Sequence, residues 1–303
     1  MTRKPGALLG LFLGLALLAT ACGGGPATQG ASPGATAGAG GSEAAVPTFE
    51  EGTTMAEIQQ KGKLVVGTKF DQPLFGLKNP RTDEVEGFDV EIAKLIAEGI
   101  FGAGNVEGKI EFVETPSAIR ESALVDGKVD MVVATYTIND ERKQQVGFAG
   151  PYYVAGQDIM VKADNEDIKG IDDLNGKRVC TAEGSTSLMN LEAMAPEAEV
   201  TTFDVYSKCA AALSDGRVDA VTTDNVILLG LVDASGDEFK LLENPFTEEP
   251  YGIGVQKEDT AFRTFINDRL EQIYESGEYV EAFESTAGKV AEQAPEPPPV
   301  DRY

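Results

Sequence analysis

The sequence predicts an α/β protein built from two similar halves. ALVDGKVDMVVAT at 123–135 and ALSDGRVDAVTTD at 212–224 share Ala, Leu, Asp, Gly, Val, Asp and Val at equal offsets. GKLVVGTK at 62–69 and GKRVCTAE at 176–183 form a second, shorter pair. In both long copies a helix-type segment ends at a glycine, a residue that favours a helix end, and a short apolar strand follows.

The elements alternate along the chain between strand and helix. GFDVEIAKLIAEGI places Ile92, Leu95, Ile96 and Ile100 at the spacing of one helix face. Such alternation is typical of βαβ units, which form largely parallel sheets.

The ends of the repeated strands predict where a ligand binds. Ligands of such sheets bind beyond the carboxyl ends of the strands. Thr135 and Asp224 occupy equivalent strand ends, and Lys69 and Glu183 occupy another equivalent pair. If the halves face each other, these four positions line the cleft between them.

Composition excludes several classes of function. Among 303 residues, 25 Lys and Arg stand against 50 Asp and Glu, a net charge of -25, whereas nucleic-acid binding needs clustered cations. The chain has no histidine, which removes the commonest general base and metal ligand, and no C-x-x-C spacing. We therefore expect no metal site, no cofactor and no Ser-His or Cys-His nucleophile.

The two ends of the chain have the composition of segments outside the fold. Residues 1–21 resemble a lipoprotein signal peptide, with a charged start, an apolar segment too short for a stable membrane span, and small residues before Cys22. Cleavage there would leave a lipid on Cys22 and a flexible tether over 22–48, at the outer face of the cytoplasmic membrane. The alternative is ordinary secretion with an incidental cysteine. Residues 291–303 are Pro-rich and are predicted to be disordered.

Three polar positions suit a small ionic ligand, and each has a simpler interpretation. Arg142 follows a helix start and can bind a carboxylate with its guanidinium, or pair on the surface with Asp140 or Glu141. GSTSLMNLEAM begins a helix at Ser185 or Thr186, whose free amides attract an anion or are simply capped. Asp224 suits an ammonium group or a turn.

The ordered motifs resemble a known family, the polar amino-acid solute-binding proteins of ABC importers. They are most similar to its glutamate and aspartate binders. The matching segments, which run in the family's order over about residues 55–285, are LVVGTKFDQP, GFDVEIAKLIA, TPSAIRESALVDGKVDMVVATYTINDERKQQVGFAGPYY, DDLNGKRVCTAEGSTS, DGRVDAVTTDN and EEPYGIGVQKED.

The resemblance implies a two-lobed, periplasmic-binding-protein-like fold. Each lobe is a mostly parallel sheet flanked by helices, and two crossings of the chain form a hinge. It places lobe 1 at 49–152 and 249–290, and lobe 2 at 153–248. The lobes close on a bound amino acid by a hinge motion, and a membrane permease receives it from a monomeric binding protein.

The resemblance also implies a role for each site residue. Arg142 and the Thr137 hydroxyl bind the α-carboxylate. The Thr135 carbonyl and Asp224 bind the α-ammonium. Ser185 and Thr186 contact the ligand from the second lobe.

Lys69, Ser117 and Arg120 match the positions that contact the ligand's side chain. Two cations in a closed cleft are costly unless an anion joins them, so this pair favours glutamate or aspartate over glutamine. The alternative is that both cations are exposed and pair with protein acids, such as Glu114 or Glu121. Pairing of Lys69 with Glu183 would also weaken the acidic-ligand interpretation.

Cys180 and Cys209 are predicted to form a disulfide, because both would lie outside the reducing cytoplasm. Three other functions stay open. They are a binder of glutamine or another polar amino acid, an enzyme such as a dehydratase or lyase on the same fold, and a sensor ectodomain.

Overall fold

The computed structural model describes residues 46–291 and 293–303. The predicted signal peptide, the lipid-attachment residue Cys22 and the predicted tether up to residue 45 lie outside these residues. Within the described ranges, no helix has both the length and the apolar character needed to cross a bilayer.

The first lobe is built on a five-stranded sheet. Its strands are β1 (Leu64–Thr68), β5 (Ile110–Glu114), β6 (Met131–Val132), β7 (Val146–Ala155) and β13 (Glu249–Gln256), in the order β5-β1-β6-β13-β7. Strands β5, β1 and β6 are parallel, and β13 and β7 join them in antiparallel pairing. A small antiparallel sheet comprises β2 (Asp71–Gln72), β3 (Gly76–Lys78) and β4 (Val85–Glu86).

The second lobe repeats this arrangement. Its strands are β8 (Gln157–Lys162), β9 (Arg178–Ala182), β10 (Glu199–Phe203), β11 (Ala220–Asp224) and β12 (Phe239–Leu241), in the order β10-β9-β11-β8-β12. Again three strands, β10, β9 and β11, are parallel, and β8 joins β11 and β12 through antiparallel pairs. The predicted two-lobed α/β fold is therefore confirmed.

Helices cover both sheets. Those of the first lobe are α1 (Thr54–Lys61), α2 (Phe88–Phe101), α3 (Arg120–Val125), α4 (Asp140–Lys143), α8 (Thr260–Ser276) and α9 (Glu278–Ser285). Those of the second are α5 (Thr186–Met194), α6 (Tyr206–Ser214) and α7 (Asn225–Ser235). Short 3-10 helices lie at Ser117–Ile119, Ile171–Leu174 and Ala287–Lys289. On α2, Ile92, Ile96 and Ile100 are fully buried, as the spacing predicts.

The two long copies of the repeat form the same local structure. Helices α3 and α6 each end at an aspartate followed by a glycine, Gly127 or Gly216, with a left-handed backbone (φ 66° and 71°). The later aspartate of each copy then accepts a hydrogen bond from the neighbouring parallel strand. Asp130 Oδ2 accepts from Val65 N at 2.7 Å, and Asp219 Oδ2 accepts from Arg178 N at 3.0 Å.

The chain passes between the lobes at two adjacent places. Gly156 separates β7 from β8, and β13 carries the chain back. A Cβ added to Gly156 would lie 2.8 Å from the Thr247 carbonyl oxygen, so the two crossings are in contact.

The predicted disulfide is present, and it joins β9 to α6 through Cys180 and Cys209. Closing a loop of this length stabilises a fold by about 3–4 kcal/mol in the chain-entropy description.

The Pro-rich end of the chain, described over 293–303, forms no helix or strand but contacts the first lobe. Val300 packs on the first-lobe core. Asp301 N donates to the Gly150 carbonyl at 2.8 Å, and Phe148 N donates to the Tyr303 hydroxyl at 2.8 Å. The Pro-rich composition suppresses regular structure, but these last residues bind the outer edge of β7.

Candidate ligand-binding site between the lobes

The predicted ligand-binding residues meet at the carboxyl ends of the parallel strands. Seven of them line one narrow space between the lobes. They are Ser117, Arg120, Thr135, Thr137, Ser185, Thr186 and Asp224. The other two, Lys69 and Arg142, contact these residues from the first lobe.

Lys69 follows β1 directly and points into the site. Only 2% of its surface is exposed, and its Nζ donates to Ser117 Oγ at 2.9 Å. The same Nζ lies 6.0 Å from the ring centre of Tyr206, a second-lobe residue. Burial, with a further contribution from nearby Arg120, lowers the pKa of Lys69 to about 7. Among the described residues, no acid lies within ion-pair distance of Lys69 or Arg120.

Arg120 begins α3 and is also buried. Its Nη1 donates to the carbonyls of Ala134 at 2.8 Å and Thr135 at 3.4 Å. Its Nε has no hydrogen-bond partner among the described residues. The guanidinium stacks on Tyr136, with Cζ 4.2 Å from the ring centre.

Arg142 lies in α4, whose start is capped by Asn139 as the sequence predicts. Its guanidinium also faces the Tyr136 ring, at 5.0 Å. Nη1 donates to the Thr137 carbonyl at 2.7 Å, and Nε lies 3.3 Å from Glu121 Oε1. Burial and the charge of Arg120 lower its pKa to about 10. The simpler interpretation, surface pairing with Asp140 or Glu141, is wrong.

The turn after β6 presents Thr135 to the site. Thr135 has a left-handed backbone, with φ +46°, which is rare for a β-branched residue. Its N–H donates to Asp89 Oδ2 at 2.8 Å, and its hydroxyl lies 3.1 Å from Gln72 Oε1. The Gln72 Nε2 has no partner among the residues described.

The second lobe contributes hydroxyl groups at the start of α5. Ser185 caps the helix, since its Oγ accepts from Leu188 N at 3.1 Å. The Thr186 hydroxyl donates to Glu249 Oε2 at 2.9 Å and lies 3.5 Å from the Thr137 hydroxyl of the first lobe.

Asp224 is the acid of the site. Its Oδ2 accepts from the Tyr251 hydroxyl at 2.6 Å. Its Oδ1 is buried and has no hydrogen-bond partner within the described ranges. Burial, and then the charge of Glu249, raise the pKa of Asp224 to about 7. An ammonium group would supply both a donor to Oδ1 and a compensating charge.

Glu183 does not line the site, contrary to the expectation from the repeat. Its side chain is exposed, and its N–H donates to the Phe203 carbonyl at 2.8 Å. The backbone then turns at Gly184, where φ is +70° and a Cβ would lie 2.6 Å from Ala118 Cα. The backbone of Gly184 therefore contacts the first lobe, and the side chain of Glu183 points outward.

Three residues of the lining were missed by the sequence analysis, namely Ser187, Tyr206 and Ile227. The repeat contained a signal for one of them. In the register that aligns ALVDGKVD with ALSDGRVD, Tyr206 corresponds to Ser117. The repeat gave no such signal for Ser187, which follows Thr186 on α5, or for Ile227, which lies on α7 three residues after Asp224.

The site thus places three cations of one lobe opposite hydroxyls and one acid of the other, across a narrow space. Residues 64–288 match the family model described as bacterial extracellular solute-binding proteins, family 3. The chain belongs to this family. The resemblance deduced from the ordered motifs is confirmed.

Relatives in this solute-binding family differ in the amino acid that their names give. The ABC transporter glutamine-binding protein GlnH of Bacillus subtilis is 43% identical over 231 residues, 76% of this chain and 83% of that protein. The glutamate-binding protein GluB of Corynebacterium efficiens is 36% identical over 259 residues, 83% of this chain and 88% of that protein. A solved structure of an ancestral arginine-binding protein bound to arginine is 38% identical, with a TM-score of 0.69, and covers 74% of this chain and 98% of that one.

Proposed function

We propose that this protein captures an acidic amino acid, glutamate or aspartate, outside the cell and delivers it to the permease of an ABC importer. Relatives of this solute-binding family with glutamine or glutamate in their names support a polar amino acid as the ligand. The charges of the site favour an acidic one. In this proposal the protein works as a monomer and is not an enzyme.

The observation that carries the proposal is the environment of Lys69. It is buried, and its Nζ donates to the Ser117 hydroxyl, a neutral group. Asp71, two residues along the chain, attracts Lys69 from beyond ion-pair distance, and its Oδ2 accepts from Ser207 N. Two buried acids of the site are engaged with other groups. Asp89 accepts from Thr135 N and the Tyr152 hydroxyl, and Glu249 accepts from three neutral side chains. A ligand carboxylate would supply the missing anion for Lys69 and Arg120.

The three charged parts of glutamate or aspartate then have separate partners. Arg142 and Thr137 bind the α-carboxylate. Asp224 and the Thr135 carbonyl bind the α-ammonium.

The side-chain carboxylate faces Lys69, Arg120 and Ser117. The start of α5, with Ser185 and Thr186, completes the enclosure from the second lobe. Closure of the lobes removes water and strengthens each of these charged contacts.

The location of the protein is part of the proposal. Lipid attached to Cys22, after removal of residues 1–21, would hold the binding lobes at the outer face of the cytoplasmic membrane. Such an anchor keeps the protein near its permease and leaves the lobes free to close.

Glutamine is the second candidate ligand, and one observation favours it. The lowered pKa of Lys69, about 7, means that a neutral Lys69 is accessible near physiological pH. A neutral amine can accept a hydrogen bond from a side-chain amide. The Bacillus subtilis relative with 43% identity is named as a glutamine binder.

Calorimetry on the purified protein, stripped of bound ligand by unfolding and refolding, separates the two candidates. Glutamate, aspartate, glutamine and asparagine are each titrated into wild type and Lys69→Met. We expect an acidic amino acid to bind most tightly, and its affinity to fall by more than about tenfold in Lys69→Met. Lys63→Met is the matched control, because Lys63 lies on the surface with its side chain 43% exposed and pairs with Glu111.

Proton uptake gives an independent measurement. At pH 8 Lys69 is mostly unprotonated before binding, because its pKa is about 7. A bound carboxylate raises that pKa, so binding takes up a proton, and the measured heat changes with the ionisation enthalpy of the buffer. We expect this dependence for wild type and its loss in Lys69→Met. Tighter binding of glutamine than of both acids, with no proton uptake, would reject the acidic ligand.

A further inference from the structure

We propose that Asp89 is a positioning residue of the binding site, which holds Thr135 in the left-handed backbone that presents its carbonyl to the ligand. The inference deepens the proposed function and rests on it for the location of the site. It concerns the motif GFDVEIAKLIA, whose Asp89 has no direct role in the ligand contacts proposed above.

Asp89 is a fully buried carboxylate with two neutral partners. It is the second residue of α2 and has no exposed surface. Its Oδ2 accepts from Thr135 N at 2.8 Å, and its Oδ1 accepts from the Tyr152 hydroxyl at 2.6 Å. Tyr152 lies on β7, which leads into the hinge. One carboxylate therefore joins the helix, the turn after β6 and the strand that enters the hinge.

Thr135 is the residue that needs such support. Within the described ranges, four non-glycine residues have a positive φ, and Thr135, at +46°, is the β-branched one among them. A β-branched residue in this region is strained, and such strain persists where the surroundings impose it. The hydrogen bond from Thr135 N to Asp89 opposes relaxation of the turn to an extended backbone.

The geometry of this turn determines more than one ligand contact. Arg120 Nη1 donates to the carbonyls of Ala134 and Thr135, so the turn orients that guanidinium. The next residue, Tyr136, carries both stacked arginines on its ring. Relaxation of Thr135 would therefore move the carbonyl proposed for the ammonium and also displace Arg120.

A double-mutant cycle between positions 89 and 135 tests the inference. Asp89→Asn keeps the size of the side chain but replaces one of the two accepting oxygens with an NH2 group, which would face a donor, either Thr135 N or the Tyr152 hydroxyl. We expect glutamate affinity, measured by calorimetry, to fall by about tenfold or more. In a Thr135→Gly background, Asp89→Asn should lower glutamate affinity by less than about threefold, because glycine adopts a positive φ without strain.

Two controls separate positioning from general stability. Glu91→Gln removes another acid from the first turn of α2 and should leave glutamate affinity unchanged. Thr135→Ala removes the hydroxyl but keeps a Cβ. In that background Asp89→Asn should therefore still lower glutamate affinity by about tenfold or more. Melting temperatures are measured for every variant. If Asp89→Asn does not fold, Tyr152→Phe removes the second anchor of Asp89 and should weaken binding several-fold, again less so with Thr135→Gly.

An equal loss of affinity in the wild-type and Thr135→Gly backgrounds would overturn the inference, and so would a fall in melting temperature without a loss of affinity. Each titration is repeated with glutamine. The cycle compares variants for one amino acid at a time, so its result is independent of whether glutamate or glutamine binds more tightly to wild type.

Discussion

The two lobes use equivalent positions of one repeat for different purposes. In the register that aligns the two long copies, Arg120 of α3 corresponds to Cys209 of α6. The arginine lines the candidate site, whereas the cysteine joins its helix to β9 by a disulfide. Equivalent positions of the two helices thus carry a charged side chain in one lobe and a disulfide in the other.

The shorter repeat shows the same divergence. Lys69 and Glu183 both follow the first parallel strand of a lobe, and Lys69 points inward while Glu183 is exposed. The first lobe consequently supplies three cations, and the second lobe supplies hydroxyls and Asp224. The scaffold determines where the cleft lies, and the substitutions on each half determine which charges face it.

Asp224→Asn removes the acid that the second lobe places opposite the cations of the first lobe. It should have the largest effect on ligand affinity. Removing the partner of the ammonium should lower affinity for every amino acid by about a hundredfold or more in calorimetry. Retained affinity for glutamate in Asp224→Asn would exclude the proposed role.

The same substitution should stabilise the ligand-free protein in a pH-dependent way. The pKa of Asp224 is raised from 3.8 to about 7 in the folded protein, so the stability contributed by its protonated form is lost as pH rises through that range. Above pH 7, Asp224→Asn should exceed wild type in free energy of unfolding by up to about 4 kcal/mol, and the difference should vanish near pH 4. Urea unfolding at both pH values measures it.

Gly230→Ala should impair the meeting of the two lobes without touching the ligand. Gly230 lies in α7 of the second lobe, and an added Cβ would lie 2.4 Å from the Pro73 carbonyl of the first. We expect affinity to fall by about tenfold, because the closed arrangement becomes less favourable. X-ray scattering with saturating glutamate should show a larger radius of gyration than wild type.

Gly170→Ala is the control for this substitution. Gly170 is also in the second lobe, its backbone is extended, and its nearest neighbour to an added Cβ is Asn244 Nδ2 at 3.6 Å. Equal affinities of Gly230→Ala and wild type would show that this contact does not limit closure.

Glu183→Gln should have the smallest effect and sharpens the comparison with Lys69. Because Glu183 is exposed and screened by water, we expect glutamate affinity to change by less than about twofold. An increase of more than about fivefold would mean that the acid faces the bound anion during closure. Calorimetric titration of glutamate into wild type and Glu183→Gln, at low and at high salt, measures this change in affinity.

Much of the fold could be predicted from the sequence because local signals and the repeat agree. Gly127 and Gly216 end their helices where the pattern places them, and the strands after them lead to Thr135 and Asp224. The order of the motifs then identified the residues that converge on the cleft. Nothing in these steps required knowledge of long-range side-chain contacts.

The remaining features depend on contacts that no local pattern encodes. Asp89 looks like an ordinary acid in the first turn of a helix, yet it binds Thr135 and Tyr152, which lie far along the chain. Glu249, the first residue of the predicted return to lobe 1, accepts hydrogen bonds from Thr186 and Asn190. The outward direction of Glu183 likewise follows from the approach of the lobes and not from its place after a strand.

The last described residues have a consequence for the behaviour of the protein in concentrated solution. Strand β7 is ten residues long and forms one edge of the first-lobe sheet. Asp301 and Tyr303 occupy the outward-facing groups of Gly150 and Phe148, and the Tyr303 ring lies between Lys143 and Arg263. An edge strand with free amides and carbonyls is a template for pairing with another molecule. Asp301 and Tyr303 thus leave two fewer backbone groups of this edge available for such pairing.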